Sequence, residues 1–202
     1  MPILRLIAML LVLMPVVPAA YAQAPPNQQV PNEPVTHFGL TFPPEIGGAS
    51  RLSVRAYEPD NPGLGYSAGY RHGGEATSTV YVYDNRVPSI PDDLKSPVVR
   101  SQFEQAKADV GRVPQMSLSI KAKNTFTIRD SSKRERLVCS AYVMTRQPGS
   151  SVFDTFVCLG VFKGKFFKVR TTMPQAANAE AEVRRFIGLW VDRLWSPPAG
   201  AR

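Results

Sequence analysis

The chain has 202 residues, 44% of them hydrophobic, with a formal net charge of +8 and two cysteines. This length suffices for one ordinary domain with a substantial core, and a second domain would be crowded. The charge is uneven, because residues 23–112 hold eight basic and ten acidic side chains whereas residues 113–202 hold 15 and six. Such a basic half favours solubility and weak association with anions, and it names no specific partner.

The first 22 residues have the pattern of a secretory signal peptide. Arg5 supplies the positive charge, residues 6–17 are almost entirely apolar, and Ala20 and Ala22 are the small residues before the cleavage point. The apolar run is too short for a membrane-spanning helix, which needs about 20 residues. We therefore predict cleavage after Ala22, a periplasmic or secreted product, and no transmembrane segment in the mature chain.

Three further segments are distinguished by composition. Residues 23–36 are rich in Pro, Asn and Gln with few bulky apolar side chains, which predicts a flexible leader. Residues 37–197 are predicted to form a single α+β domain, and residues 198–202 a disordered tail.

Within the domain, hydrophobic periodicity and turn residues predict two groups of strands with a helix between them. The strands are expected at 51–57, 66–71, 77–84, 116–123 with a continuation at 125–129, 137–146, 151–162 and 166–173. Ser96 and Pro97 predict the start of the central helix, and Gly111 its left-handed end. Alternation from Met116 to Lys123 predicts one buried and one water-facing side.

The chain ends in a second predicted helix, whose apolar residues fall on one stripe. They are Ala179, Val183, Phe186, Ile187, Trp190 and Leu194. We expect this helix to dock on its own sheet. The predicted fold is thus an antiparallel sheet of about six strands, ending in a three-strand meander and packed against a central and a C-terminal helix.

The two cysteines lie on neighbouring strands of the predicted meander. If the turn is centred between Pro148 and Gly149, Cys139 and Cys158 face each other at a separation that a disulfide tolerates. An odd-length loop would instead leave two buried thiols one register apart. Because an exported protein meets an oxidising compartment, we predict a disulfide. No Cys-x-x-Cys spacing suggests redox chemistry, so the bridge is interpreted as structural.

The sequence offers little support for catalysis, and we predict no catalytic, cofactor-binding or metal-binding residue. No serine, cysteine or carboxylate cluster adjoins His37 or His72, and no metal-ligand spacing occurs. The segment that holds Gly63, Gly65 and Gly69 leads into a predicted strand, whereas a phosphate-binding loop precedes a helix. Tight backbone geometry therefore explains these glycines better than phosphate binding does. The adjacent acids at 92–93 are interpreted as loop residues that point apart into solvent.

One group of basic residues is a candidate anion-binding patch on a strand face and the following loop. Its members are Lys121, Lys123, Arg129, Lys133, Arg134 and Arg136. They predict binding of phosphates or carboxylates of an envelope polymer. The alternative is a solvated strand edge whose charges discourage aggregation. Nucleic acid is disfavoured by the expected location and by the lack of interleaved exposed aromatic residues.

Several short segments resemble small exported bacterial proteins that carry no assigned activity. They are Pro-Pro-Glu-Ile-Gly-Gly at 43–48, Gly-Leu-Gly-Tyr at 63–66, Val-Tyr-Val-Tyr-Asp at 80–84 and Pro-Val-Val at 97–99. The order of strands and helices is similar to the Mog1/PsbP/DcrB-like α+β fold. That resemblance implies an accessory or binding role and carries over no functional residue.

The leading hypothesis is an exported, non-enzymatic accessory or binding protein of the bacterial cell envelope, with an envelope protein or anionic envelope polymer as partner. The alternatives are an anion-binding module that uses the basic C-terminal half, and a hydrolase or transferase whose site is assembled from residues distant in sequence.

Overall fold

The computed structural model describes residues 32–112, 117–147 and 151–195. The predicted signal peptide, its cleavage point and the C-terminal tail lie outside these ranges. No helix in the described part of the chain is long and apolar enough to cross a membrane.

The described chain has a first group of strands, a helix, a second group of strands and a final helix, which is the predicted order. The strands are β1 (Val35–His37), β2 (Leu40–Phe42), β3 (Glu45–Ile46), β4 (Ala49–Ala56), β5 (Tyr66–Arg71), β6 (Thr77–Tyr83), β7 (Ser117–Arg129), β8 (Glu135–Gln147), β9 (Ser151–Phe162) and β10 (Lys165–Pro174). The helices are α1 (Pro97–Ala108), extended by a 3-10 turn (Asp109–Gly111), and α2 (Ala179–Trp195). The α+β class is confirmed.

The main sheet is antiparallel and has eight strands in the order β3-β4-β5-β6-β10-β9-β8-β7. The expectation of about six strands was too low. One reason is that Glu45–Ile46, which is not among the predicted strands, forms a short outer strand paired with β4. A separate two-stranded sheet pairs β1 with β2, so Val35 and Thr36, at the end of the segment interpreted as a leader, are in a strand.

Each helix covers one face of the main sheet, which makes a three-layer arrangement. Helix α1 buries Val99, Phe103 and Ala106 against one face. Helix α2 packs its predicted apolar stripe against the other face, where the Trp190 side chain is fully buried. The two helices therefore have separate cores, and a strand residue belongs to one or the other according to its parity.

The predicted pairing of the cysteines is confirmed. Cys139 lies directly opposite Cys158 in the β8–β9 ladder, their Cα atoms are 4.0 Å apart, and their sulfurs form a disulfide. Both residues are fully buried on the face that α2 covers. The bridge therefore joins the central strands of the β7–β10 meander beneath the C-terminal helix.

Two local predictions were wrong. Gly111 does not adopt a left-handed conformation, because the chain continues from α1 into the 3-10 turn. An added Cβ there would lie 2.9 Å from Ile120 Cδ1, the flexible end of a side chain that can move aside. The buried side predicted for β7 fails at Ala122, which is exposed. Strand β7 is outermost in the sheet, and its ladder with β8 shifts between Ala122 and Thr125.

Candidate functional site

The predicted anion-binding patch lies on β7, the β7–β8 turn and the start of β8, where carboxylates already neutralise most of it. Four of its six residues form ion pairs: Lys123 with Asp154, Arg129 with Glu135, Arg134 with Asp92, and Arg136 with both Asp92 and Asp130, at distances of 2.7 to 3.3 Å. Within the described ranges, Lys121 and Lys133 have no such partner. This pairing favours a structural role for the group, and anion binding there stays a prediction.

Asp130 organises the turn that carries the patch. Its side chain is almost fully buried and accepts hydrogen bonds from the Ser132 hydroxyl (2.6 Å), the backbone N–H groups of Ser132 and Arg134 (2.8 and 3.1 Å) and Arg136 Nε (2.7 Å). Burial by itself raises the pKa of Asp130, but these hydrogen bonds and the Arg136 charge outweigh burial and lower the pKa to about 2. Asp92 is exposed, as expected of a loop acid, and also accepts hydrogen bonds from Arg134 and Arg136.

The glycine-rich segment before β5 binds a carboxylate of its own chain. Gly63 and Gly65 have φ angles of +96° and +63°, and an added Cβ on Gly65 would lie 2.0 Å from the Val82 carbonyl oxygen. Their backbone N–H groups donate to the Glu58 carboxylate at 2.8 to 3.1 Å. The interpretation as tight backbone geometry is thus supported, because the donors that a phosphate would need are already used.

One histidine has a serine partner that the sequence did not suggest. Across the β5–β6 hairpin, His72 Nε2 lies 2.8 Å from Ser78 Oγ, which lies 2.7 Å from Thr171 Oγ1. Burial lowers the pKa of His72, and the Glu182 charge partly offsets that effect. Ser78 is only 2% exposed and its hydroxyl is held between two partners, so it is poorly placed to attack a substrate. The nearby cleft of about 370 Å³ therefore shows a histidine–hydroxyl chain without an accessible nucleophile.

A second cavity, of about 220 Å³, opens beside α1 on the face of the sheet that this helix covers. We call it the tyrosine pocket. It is lined by Tyr57, Leu64, Tyr81, Tyr83, Asn85, Gln102, Gln105, Asp109 and Lys168. These residues come from β6, β10, α1, the turn after α1 and two loops, so the pocket exists only in the folded chain.

Lys168 is the distinctive charged residue of the tyrosine pocket. Its Nζ atom lies 4.3 Å from the centre of the Tyr81 ring and 5.3 Å from that of Tyr83, within range of cation–π attraction. Burial lowers the pKa of Lys168, the Asp109 charge raises it and the Arg170 charge lowers it further. In the described part of the chain, no carboxylate lies within ion-pairing distance of this amine. A half-buried lysine without a counter-ion is costly to keep in an interior.

A chain of hydrogen bonds crosses the wall of the pocket. Asn85 Nδ2 donates to Gln102 Oε1 (2.7 Å), and Gln102 Nε2 donates to the Tyr83 hydroxyl oxygen (3.2 Å). Burial raises the pKa of Tyr83 above its ordinary value, so the phenol keeps its proton at neutral pH. Because its oxygen already accepts from Gln102, the Tyr83 hydroxyl can donate its own hydrogen to a bound molecule.

No protein-family model matches the sequence, and no curated protein matches it. Among solved structures, the fold is similar to the cyanobacterial PsbP protein CyanoP from Synechocystis, with 13% sequence identity, a TM-score of 0.41, and 74% of this chain and 81% of that chain covered. It is also similar to the Ran-binding protein Mog1p of Saccharomyces cerevisiae, with 10% identity, a TM-score of 0.39, and 76% and 86% covered. Both neighbours match the resemblance to the Mog1/PsbP-like fold that was stated from the order of strands and helices. At these identities the likeness concerns the fold alone.

The sequence holds one signal for the tyrosine pocket. Lys168 stands between Phe166–Phe167 and Val169, three buried residues in the middle of a strand. A lysine in such a run departs from the expected pattern, and departures of this kind concentrate at functional sites. The partners of Lys168 could not be named in advance, because the nearest lies on β6, more than 80 residues earlier in the chain.

Proposed function

We propose that this protein is an exported, non-catalytic accessory protein of the cell envelope that binds a small ligand in the tyrosine pocket. The observation that supports this most strongly is the concave site itself, where three tyrosines and side-chain amides surround a lysine whose amine has no carboxylate of the described residues within ion-pairing distance. Binding sites typically combine aromatic walls with a few convergent polar groups in this way.

Two features support a binding role over a catalytic one. The tyrosine pocket holds no histidine, cysteine or serine among its lining residues, and its one carboxylate, Asp109, forms an ion pair with Arg112 at 3.0 Å. The His72 cleft has an imidazole, but its serine neighbour is buried. Export is supported by the sequence pattern of the first 22 residues and by the disulfide, which forms in oxidising compartments.

The test compares small molecules retained by three forms of the protein. The wild type and two variants, Gln105→Trp and Glu104→Trp, are immobilised and incubated with the small-molecule fraction of an envelope extract, and retained compounds are identified by mass. Both positions are exposed on α1, but Gln105 lines the tyrosine pocket whereas Glu104 lines a different depression. An indole at 105 fills the pocket, and an indole at 104 is the matched control.

We expect one compound class to be retained in near-stoichiometric amount by the wild type and by Glu104→Trp, and to be lost from Gln105→Trp. Equal retention by all three forms would place binding elsewhere on the protein and overturn the proposal. Retention of no compound by the wild type would overturn it as well.

A further inference from the structure

The charges around the tyrosine pocket favour an anion. Lys168 supplies a cation inside it, and the Arg170 guanidinium, which donates to the Val110 carbonyl oxygen at 2.9 Å, adds a second positive charge close by. Asp109 also lines the pocket and its charge raises the pKa of Lys168, but it forms an ion pair with Arg112 at 3.0 Å, so the charged groups around the pocket are positive on balance. A carboxylate that entered the pocket could come within ion-pairing distance of the Lys168 amine, which no carboxylate of the described chain does.

The size of the pocket restricts the ligand further. At about 220 Å³ it lies below the range of 300–1,000 Å³ typical of drug-sized ligands, so the part of a ligand that enters it is small. Three tyrosines and Leu64, whose side chain is 48% exposed, offer apolar contact area for a planar group. These surfaces suit a molecule of about one ring.

The hydrogen-bond donors of the pocket are also placed to bind a ligand that accepts hydrogen bonds. The Tyr83 hydroxyl has a hydrogen to donate, because its oxygen accepts from Gln102. Burial raises the pKa of Tyr81 as well, so both phenols stay uncharged and do not repel an anion. Lys168 and Tyr83 are thus two donors on one wall that can meet the two oxygens of a carboxylate.

From these contacts we infer that the ligand of the tyrosine pocket is a small aromatic or similarly planar monocarboxylate, with Lys168 as its counter-ion. This inference rests on the proposed function and names the chemical class of its ligand. Tyr57, Tyr81 and Leu64 contact the ring, and Lys168 and Tyr83 hold the carboxylate. A neutral molecule of the same shape leaves the lysine without a counter-ion and binds more weakly.

Benzoate and benzamide test this inference directly, since they share a ring and nearly the same shape and differ in charge. Each is titrated into the isotope-labelled mature protein, and backbone resonances are followed by NMR. We expect benzoate to shift the resonances of pocket residues saturably and to bind at least about tenfold more tightly than benzamide, a difference of about 1.4 kcal/mol. This comparison uses the wild type and does not depend on the folding of any variant.

The variant Lys168→Met should abolish the preference for benzoate, and Lys165→Met should keep it. Lys165 is the matched control because it lies on the same strand and its amine is paired with Asp84. Benzamide binding in the pocket as tightly as benzoate would overturn the ligand class and leave the proposed function standing. Absence of saturable pocket shifts with both probes would overturn the class as well, and the comparison of retained compounds with Gln105→Trp then decides the proposed function separately. A preference that persists in Lys168→Met would overturn the role of Lys168.

Discussion

Lys168 lies directly opposite Tyr81 in the β6–β10 ladder, and its Nζ atom is 4.3 Å from the centre of the Tyr81 ring. Cross-strand neighbours on one face of an antiparallel pair are held within contact distance, so the sheet itself fixes the amine over the ring. The neighbouring positions on β10 are buried phenylalanines and a valine. The fold thus keeps a charged group at a position where an apolar side chain would be more stable, a trade typical of functional sites.

The first prediction concerns stability. Lys168→Met keeps the length of the side chain and removes the partly desolvated charge. We expect the free energy of unfolding to stay the same or rise by up to about 1 kcal/mol in urea denaturation. Lys165→Met removes an ion pair with Asp84 and should lower the free energy of unfolding by up to about 1 kcal/mol. A loss of more than about 1 kcal/mol in Lys168→Met would mean that the ammonium group is needed for the fold.

The second prediction concerns the pH dependence of benzoate binding. Burial places the pKa of Lys168 below its ordinary value of 10.5, and a bound anion favours the protonated amine. Benzoate affinity should therefore fall as the pH rises through the pKa of Lys168, at a pH below 10.5. Burial raises the pKa of Tyr81 and of Tyr83 above the ordinary value of 10.0, which moves the titration of both phenols further from neutral pH.

The pH titration has an internal control. In Lys168→Met the weak residual affinity for benzoate should not change between neutral pH and pH 10. A wild-type affinity that stays constant over the same range would exclude Lys168 as the counter-ion.

The disulfide was predictable because its two strands are adjacent in the chain. The ladder between β8 and β9 runs from Arg146 opposite Ser151 without a shift, so the opposition of Cys139 and Cys158 followed from residue numbers alone. The stripe of α2 was predictable for a similar reason, since helical periodicity involves only near neighbours. Local patterns therefore determined most of the element order.

Contacts between segments that are distant in the chain could not be predicted from such local patterns. The pairing of β6 with β10 brings Tyr81 to Lys168, and the turn after β7 brings Asp130 to Arg136 and Arg136 to Asp92, 44 residues away. No periodicity in a single sequence specifies which strands become neighbours when they are far apart in the chain. For this reason the sequence placed the basic residues on one strand face and the following loop, but it did not indicate the carboxylates that pair with four of them.

The third prediction concerns the bridge between β8 and β9. Replacing both Cys139 and Cys158 by Ala should lower the free energy of unfolding by about 3 kcal/mol, because the bridge closes a loop across a sequence separation of 19 residues in the unfolded chain. Urea denaturation of the oxidised wild type and the double variant measures the difference. The intact mass of the wild type should lie two hydrogens below that of the reduced form, and two alkylatable thiols in protein purified from the export compartment would contradict the assignment.

The fourth prediction concerns Asp130. Asp130→Asn keeps the shape of the side chain but removes the negative charge that Arg136 and Ser132 contact. The free energy of unfolding should fall by about 2–4 kcal/mol. Asp92→Asn is the control; that side chain is 53% exposed and should cost less than about 1 kcal/mol. Urea denaturation of both variants at neutral pH measures these costs.

The same carboxylate should make the protein acid-sensitive. Its pKa is about 2 in the folded state against an ordinary 3.8, so its stabilising contribution is complete above pH 3.8 and is lost as the pH falls from 3.8 towards 2. The difference in unfolding free energy between the wild type and Asp130→Asn should shrink over that interval. A difference that is constant with pH would show that the Asp130 charge does not stabilise the turn.

The most direct measurement is a crystal structure of the mature protein with benzoate bound. The account predicts the ring against Tyr57 and Tyr81, with one carboxylate oxygen about 2.7–2.9 Å from Lys168 Nζ and the other accepting from the Tyr83 hydroxyl. Benzoate bound only at the basic turn around Arg134, or an empty tyrosine pocket at a concentration that saturates the NMR shifts, would contradict it.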